Sequence, residues 1–207
     1  MKKKPNIVVR ILCFILFIVL LPVLLVAALI KAIIKRRKYK KWLKEGETGR
    51  RLILSSDITR IDLMEGYEFE EYLKCLFFYD DYNAELTPKS RDYGADLILT
   101  KGDETIVVQA KRYNKTVGSK CVSEVVGAKR HYNATEAWVV TNSYFSDQAE
   151  TLAKDNDVRL IDREELIEIA GQVCEKLKID NSSGQISYED YNGYNSGNSM
   201  QESSFKI

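Results

Sequence analysis

The stretch "GADLILTKGDETIVVQAKRY", residues 94–113, constrains the fold of this chain most strongly. It contains two β-prone runs, "ADLILT" and "ETIVVQAK", which are separated by a short polar segment. Gly102 and Asp103 form the centre of that segment, and glycine at the first position is typical of a two-residue hairpin loop. A hairpin centred there places Asp96 directly opposite Gln109, because residues equally far from the loop pair across the two strands.

Three polar residues of this hairpin converge at its open end. Gln109 and Lys111 are two residues apart and share one face of their strand, and Asp96 points to the same face. One or two carboxylates with a lysine suit a divalent metal and phosphate, since Mg²⁺ takes hard oxygen ligands and could polarise a phosphodiester there. The same residues also fit a purely structural Asp–Lys pair at a strand end, and the spacing alone does not choose between these interpretations.

The segment "YEFEEYLKCLFFYD", residues 67–80, predicts an amphipathic helix. Its apolar residues recur at helical spacing and form one stripe. Glu70 falls at the edge of that stripe and Glu71 points away from it, towards solvent. Glu70 could therefore border the polar cluster, although its helical position alone favours an ordinary charged residue beside the stripe.

The remaining pattern alternates helix and strand. Strands are predicted at 137–142 and 158–162, with a helix between them that begins after a Ser146 N-cap. This arrangement predicts a parallel βαβ unit. Further helices are predicted at 123–134 and 163–177. The fold class is therefore α/β, with a mixed central sheet flanked by helices.

The N-terminal region carries a different signal. Residues 11–30 contain no charged residue, and about 20 apolar residues are enough for a helix to cross a bilayer. A cleaved signal peptide is the rival interpretation, but a basic segment follows the run instead of a cleavage site. Residues 1–50 hold 13 Lys and Arg against two acidic residues, whereas the rest of the chain holds 18 basic and 28 acidic residues. The basic flank after the apolar run predicts a single-pass anchor in the lipid bilayer, with the C-terminal domain in the cytoplasm.

These signals divide the chain into four parts. Residues 1–34 form the anchor, and residues 35–60 form a basic linker. The folded domain covers 61–179, and the Ser-, Asn-, Gly- and Tyr-rich residues 180–207 are expected to be a disordered tail. The four cysteines show no metal-ligand spacing, and their even number leaves a disulfide possible. Cys13 lies in the apolar N-terminal run, and the other three are interpreted as small apolar fillers. His131, the one histidine, is expected on a helix surface, which makes a histidine-based catalytic triad or zinc site a poor fit.

Several motifs, in order, resemble a known family. "GYEFEEYL", "RDYGADLIL", "IVVQAKRY" and "AWVVTNSYFSDQAETLAKDNDVRLIDREEL" are similar to the Mrr-like restriction endonuclease catalytic domain of the PD-(D/E)xK nuclease superfamily. The likeness runs from about Ile61 to Ile169. It implies a restriction-endonuclease-like mixed central sheet and Mg²⁺-dependent hydrolysis of DNA, with Mn²⁺ as an alternative metal.

The resemblance assigns roles to individual residues. The metal-binding aspartate of its G-x-D motif corresponds to Asp96, and its Q-x-K motif corresponds to Gln109 and Lys111. The glutamate that follows a phenylalanine on its helix corresponds to Glu70. The resemblance thus implies Asp96, Gln109, Lys111 and Glu70 as catalytic residues, with Asp96, Glu70 and Gln109 around the metal.

The predicted partner is DNA, contacted through a local basic patch of Lys111, Arg112, Lys115 and Lys120, with Lys129 and Arg130 as further candidates. Cleavage of both strands would need two active sites, as in a homodimer, or two successive nicks. The membrane segment takes the place of the separate DNA-binding module that Mrr-type enzymes typically carry. Two other functions therefore stay open: a non-cleaving adaptor that binds nucleic acid at the membrane, and a ribonuclease.

Overall fold

The computed structural model describes two long continuous segments, 46–88 and 93–183, and part of the chain that precedes them. In that preceding part the described residues are 26–27, 29–31, 33–37, 40–41 and 44. The chain divides into two compact units, Met1–Lys44 and Glu45–Ile207. Most of the predicted membrane span lies outside the described residues, and within the described ones no helix is long and apolar enough to cross a bilayer.

The second unit is built around one five-stranded mixed sheet. Its strands are β1 (Asn83–Leu86), β2 (Leu97–Lys101), β3 (Glu104–Lys111), β4 (Glu136–Thr141) and β5 (Val158–Ile161). They lie side by side in that order. The strands β1, β2 and β3 pair antiparallel, whereas β3, β4 and β5 pair parallel. The prediction of a mixed sheet with a parallel βαβ unit is confirmed.

Helices cover both faces of this sheet. They are α1 (Ile58–Ile61), α2 (Gly66–Tyr79), α3 (Lys120–His131), α4 (Asp147–Asp155) and α5 (Arg163–Ser183), and residues 46–55 are also helical. The hydroxyl oxygen of Ser146 accepts a hydrogen bond from the Ala149 backbone N–H, which confirms the predicted N-cap of α4.

The hairpin has the register that its sequence predicts. Lys101 pairs with Glu104 at the loop, and Leu97 pairs with Val108 at the other end of the ladder. Asp96 lies one residue before β2 and is therefore opposite Gln109. Gly102 lies in the loop with a φ of 60°, a left-handed conformation that glycine adopts without a steric penalty.

The alternation of side chains along β3 divides the core into two layers. Ile106 and Val108 belong to the cluster that contains the buried stripe of α2. Val107 belongs to the opposite cluster, which contains the buried residues of α3. Gln109 and Lys111 continue the alternation of Val107 and therefore share its face.

Several boundaries differ from the predictions. The helix predicted at 123–134 begins at Lys120, and α5 runs to Ser183 instead of ending at 177. The sequence analysis did not identify β1 or α1, because four residues are too few to show a hydrophobic period. Ile53, before the predicted start of the domain, is 1% exposed and belongs to the core. The predicted tail lies outside the described residues from position 184 onwards.

The three cysteines within the described residues and the histidine have the predicted environments, and Cys13 lies outside those residues. Cys75, Cys121 and Cys174 are free thiols, and burial raises the pKa of each one. The imidazole of His131 lies at the exposed end of α3, where it stacks on the Tyr93 ring with centroids 3.6 Å apart.

Gly94 brings the start of the hairpin against α3. Its φ is 92°, and a Cβ atom at this position would lie 2.6 Å from the Glu124 carbonyl oxygen. Only glycine permits both this backbone conformation and this approach. The distance between the Asp96 segment and α3 therefore depends on the missing side chain.

Gly94→Ala is expected to lower the free energy of unfolding by about 1–3 kcal/mol, because it adds backbone strain and a clash with main-chain atoms. Gly127→Ala is the matched control, since Gly127 lies in α3 and a Cβ there would meet nothing within 4 Å. That control should be neutral or stabilising by about 0.5–1 kcal/mol. Chemical denaturation of the two variants measures both effects, and equal stability of Gly94→Ala and the wild type would contradict the predicted clash.

Candidate active site

Asp96 is held in place by main-chain and side-chain hydrogen bonds. Its backbone N–H donates to the Val108 carbonyl at 2.8 Å, and its carbonyl accepts from the Thr87 N–H at 3.0 Å. Its carboxylate oxygen Oδ2 accepts from the Ala110 N–H at 2.7 Å and from the Gln109 side-chain amide. Asp96 and Gln109 thus meet across the hairpin as predicted, and the carboxylate has a fixed orientation at the edge of the sheet.

Polar side chains that are buried gather at this end of the sheet. The described residues include four buried polar side chains, and three of them are Gln109, Thr141 and Asn142. They lie near the carboxyl ends of the parallel strands β3 and β4. The Thr141 hydroxyl donates to the Lys111 carbonyl at 2.6 Å, which fixes the end of β3 beside its neighbour. A polar Thr-Asn pair directly after a buried strand was the sequence signal for this feature, and the sequence analysis did not use it.

Lys111 lies on the same face as Gln109 but is paired with a residue that the sequence analysis missed. Its Nζ is 3.2 Å from Glu124 Oε2, and the other Glu124 oxygen is 3.7 Å from Lys120 Nζ. The Lys111 and Glu124 side chains are each about one third exposed. The available signal was an acidic residue beside the buried stripe of the helix that follows β3, which is a weak signal because such positions are often only solvated.

Glu70 approaches this end of the sheet from the other face. The segment before α2 touches the ends of β3 and β4, since the Asp62 backbone carbonyl lies 3.4 Å from Arg112 Nη1 and accepts a hydrogen bond from it. At the far end of α2, the Phe77 ring packs against Trp138 near the start of β4. The helix therefore runs from the carboxyl end of these strands towards their amino end. Glu70, half-buried in its first turns, lies at the same end as Lys111. Its role at the site stays a prediction.

The predicted basic patch is only partly brought together. Lys111, Arg112, Lys115 and Lys120 lie on the strand end, on the loop that follows it and at the start of α3. Lys129 and Arg130 are in the last turn of α3, about 13 Å further along the helix axis. The compact part of the patch is therefore the run from Lys111 to Lys120, at the same edge as Asp96.

A second polar cluster lies beside this edge. Asp62 and Arg163 form a bidentate ion pair, with nitrogen–oxygen distances of 2.7 and 2.8 Å. The Asn142 side-chain amide donates to Asp62 at 2.8 Å, and the Asn142 carbonyl accepts from Arg163 at 2.7 Å. The hydrogen bond from Arg163 is the main reason that the pKa of Asp62 lies below its usual range. The cluster ties the segment before α2 to the end of β4 and to the start of α5.

The loop after β3 is anchored to the same cluster. The Tyr113 N–H donates to Asn142 Oδ1 at 2.7 Å, and the Val117 N–H donates to the Tyr144 carbonyl at 2.8 Å. A cleft of about 290 Å³ opens between this loop and the loop after β4. The residues that line it are Asp62, Tyr113, Asn114, Asn142, Ser143, Tyr144 and Arg163.

A family comparison identifies the domain that carries these features. The model of the Mrr catalytic domain, described as a restriction endonuclease, matches residues 61–170, which are 110 of the 207 residues. The chain belongs to the Mrr-type restriction endonuclease family. Asp96, Gln109, Lys111 and Glu70 all lie inside the matched region, so its nuclease fold contains the whole predicted site.

Three solved structures show weaker similarity to this Mrr-type chain. The protein of unknown function AF1548 is 16% identical, with 47% of this chain and 58% of that chain covered and a TM-score of 0.41. The DNA modification-dependent restriction endonuclease AspBHI is 22% identical, with 68% and 41% covered and a TM-score of 0.43. The MspJI restriction endonuclease, solved with a 27-mer oligonucleotide, is 20% identical, with 68% and 33% covered and a TM-score of 0.35.

The chain spans between one third and about three fifths of the length of these solved proteins. All three TM-scores lie below 0.5, and the identification rests on the family model. The curated proteins contain no match to this chain.

Restriction endonuclease-like domains typically use divalent metals, and the donor atoms at the Mrr-type site fit a hard cation. The carboxylate of Asp96 and the amide of Gln109 are in contact, and Glu70 is predicted to add a second carboxylate. Among the described residues, no three His, Cys, Asp or Glu side chains form a metal cage. Mg²⁺ seldom needs such a cage, since one or two carboxylates with waters and substrate phosphates normally bind it. The set therefore suits Mg²⁺ better than it suits Zn²⁺.

Asp62→Asn is expected to lower the free energy of unfolding by about 1 kcal/mol at pH 7. This value is near the upper end of the range of contributions from exposed ion pairs. Because Arg163 lowers the pKa of Asp62 in the folded state, the stabilisation is complete above the ordinary pKa of 3.8. It is lost as the pH falls through the lowered value. The difference in thermal midpoint between variant and wild type should therefore shrink below pH 3.8, which circular dichroism melts can measure.

Glu165→Gln provides the control for this ion pair, because Glu165 pairs with Arg159 at an exposed position in the same helix. Its effect at pH 7 should be smaller than that of Asp62→Asn. A difference between Asp62→Asn and the wild type that stays constant from pH 7 to pH 3 would contradict the assignment.

Proposed function

We propose that this chain is a membrane-anchored, metal-dependent endonuclease that hydrolyses phosphodiester bonds in DNA. The observation that carries the proposal is the fixed contact between Asp96 and Gln109, with Lys111 on the same face and all three inside the nuclease family match. A purely structural Asp–Lys pair is a poorer explanation, because Lys111 pairs with Glu124 while Asp96 contacts Gln109 and Ala110.

Each residue of the site has its own role. Asp96 and Gln109, joined by Glu70 from the opposite face, would hold Mg²⁺ or Mn²⁺, which supplies a Lewis acid for the phosphodiester. The hydrogen bond from the Ala110 N–H keeps the Asp96 carboxylate oriented before substrate arrives. Lys111 binds the scissile phosphate and neutralises the negative charge that develops there.

Lys111 can reach a phosphate at low cost. Its partner Glu124 is partly exposed, and an exposed ion pair contributes only about 0.2–1 kcal/mol. Replacement of the Glu124 carboxylate by a phosphate as the partner of Lys111 therefore costs little free energy. Glu124 keeps the ammonium group near Asp96 in the meantime, and Lys120 is close enough to take over the released carboxylate.

DNA contact is supported by the distribution of charge. Lys111, Arg112, Lys115 and Lys120 lie within ten consecutive residues at the edge where Asp96 is held. A local cluster of this kind can bind a phosphate backbone although the chain after residue 50 is acidic overall. Cleavage of both strands then requires a homodimer or two successive nicks.

The proposed location combines the apolar run at 11–30 with the basic segment that follows it. The run would form a single-pass anchor, and the basic residues would keep the nuclease domain at the cytoplasmic surface of the bilayer. The domain would therefore act on DNA that lies close to the membrane.

Lys111→Ala is expected to lower plasmid cleavage by a factor of at least 100, because it removes the cation beside the scissile phosphate. Lys154→Ala is the matched control, since Lys154 is an exposed lysine in the last turn of α4 and lies outside the basic patch. It should retain cleavage within a factor of about three. The assay uses the full-length chain in mild detergent, with Mg²⁺, with Mn²⁺ and with a chelator.

Metal-dependent nicking that requires Lys111 and not Lys154 would support the nuclease. Binding of nucleic acid without cleavage by the folded wild type, in either metal, would favour the adaptor. Cleavage of RNA in preference to DNA would favour the ribonuclease.

A further inference from the structure

The cleft between the loops after β3 and β4 contains a feature that phosphodiester hydrolysis does not require. Two of the residues that line it are tyrosines with exposed side chains: Tyr113 is 54% exposed and Tyr144 is 48% exposed. We propose that this cleft binds an unpaired nucleobase of the DNA strand next to the scissile phosphate, with Tyr113 and Tyr144 as stacking platforms. The proposal rests on the nuclease function and specifies its substrate as DNA with unpaired bases at the cleavage site.

The cleft lies close to Lys111. Tyr113 lies two residues after Lys111, and two residues of extended chain span at most about 7 Å. Tyr144 is three residues after Thr141, whose hydroxyl holds the Lys111 carbonyl at 2.6 Å. A strand with its scissile phosphate at Lys111 thus brings a neighbouring nucleotide to the mouth of the cleft.

Hydrogen bonds hold the Tyr113 backbone and the Tyr144 hydroxyl in place before any ligand binds. The backbone of Tyr113 is held by Asn142 Oδ1 at 2.7 Å, and Asn142 is 2% exposed. The Tyr144 hydroxyl donates to the Glu164 carboxylate at 2.7 Å, which raises the pKa of that phenol and keeps it protonated. Because this hydrogen bond occupies the edge of the ring, the face remains available for stacking.

The lining of the cleft indicates which kind of ligand it binds. An aromatic ring can stack on a base only when that base has left the duplex stack, and such stacking tolerates any base because every base has a π-face. The charge of the cleft floor is already balanced, since Asp62 is paired with Arg163 through two hydrogen bonds. The cleft thus offers aromatic surface to a base, while Arg112 and Lys115 beside it offer charge to the backbone.

The test measures binding separately from cleavage. The full-length chain in mild detergent and chelator is titrated into fluorescently labelled single-stranded thymidine oligonucleotides, and anisotropy reports the dissociation constant. Tyr113→Ala and Tyr144→Ala should each weaken binding by about 5- to 150-fold, the effect expected for loss of one stacked base. Tyr113→Phe should bind within about threefold of the wild type, because it retains the ring.

Tyr93→Ala is the matched control. Tyr93 is 51% exposed, but its ring stacks on His131 at the opposite end of α3 from Lys120. Its loss should leave binding unchanged. A second set of oligonucleotides with stable abasic positions should bind the wild type as weakly as intact strands bind the alanine variants.

Equal binding of intact and abasic strands by the wild type would overturn the proposal without any variant. Unchanged affinity in both alanine variants, or preference for a perfect duplex over a single strand, would also overturn it. If cleavage depends on Lys111 while the tyrosines have no effect on binding, only the stacking site is refuted. If the tyrosines and bases matter for binding but no metal supports cleavage, the stacking site survives and the nuclease function fails.

Discussion

The site depends on one carboxylate, that of Asp96, which is fixed at the open end of the β2–β3 hairpin. One of its oxygens accepts hydrogen bonds from the Gln109 amide and from the Ala110 N–H. Hydrogen bonds to a charged group contribute about 1.5–3 kcal/mol each, so Asp96 both secures the hairpin and is positioned by it. This arrangement explains why an otherwise apolar strand pair carries an acid and an amide at one end. It also explains the half-exposed lysine beside them, which extends the same face.

Elements that are far apart in the sequence meet at this edge, where the strands β3 and β4 end. Lys111 is paired across to Glu124 of α3, and Gly94 brings the Asp96 segment against the backbone of that same residue. On the other face, α2 begins at this edge, and Glu70 in its first turns stays a predicted member of the site. The parallel strands β3 and β4 end side by side at Lys111 and Thr141. Because each element contributes one group to the same edge, a displacement of any one changes the geometry of the others.

The hairpin could be read from the sequence because its loop fixes the register, and the register fixes which side chains meet. Asp96 and Gln109 followed from that rule. The N-cap at Ser146 and the parallel βαβ unit also followed from local patterns. The contact between Lys111 and Glu124 did not, because no local rule relates a strand end to the next helix. The pairing of Asp62 with Arg163 joins residues 101 positions apart and appears only in the folded chain. The family resemblance predicted Glu70 near the site, whereas its helical position alone favoured an ordinary charged residue beside the apolar stripe.

The most direct test of the central account is the binding of Mn²⁺ to the full-length chain, measured by electron paramagnetic resonance on the wild type and on Asp96→Asn. Loss of the free-ion signal on addition of wild type, and its retention on addition of folded Asp96→Asn, is the predicted result. Mn²⁺ replaces Mg²⁺ at sites with oxygen ligands, so its occupancy reports the same donors. Equal binding by the two proteins would place the metal elsewhere. Absence of binding by the wild type at millimolar metal would contradict a metal site at Asp96.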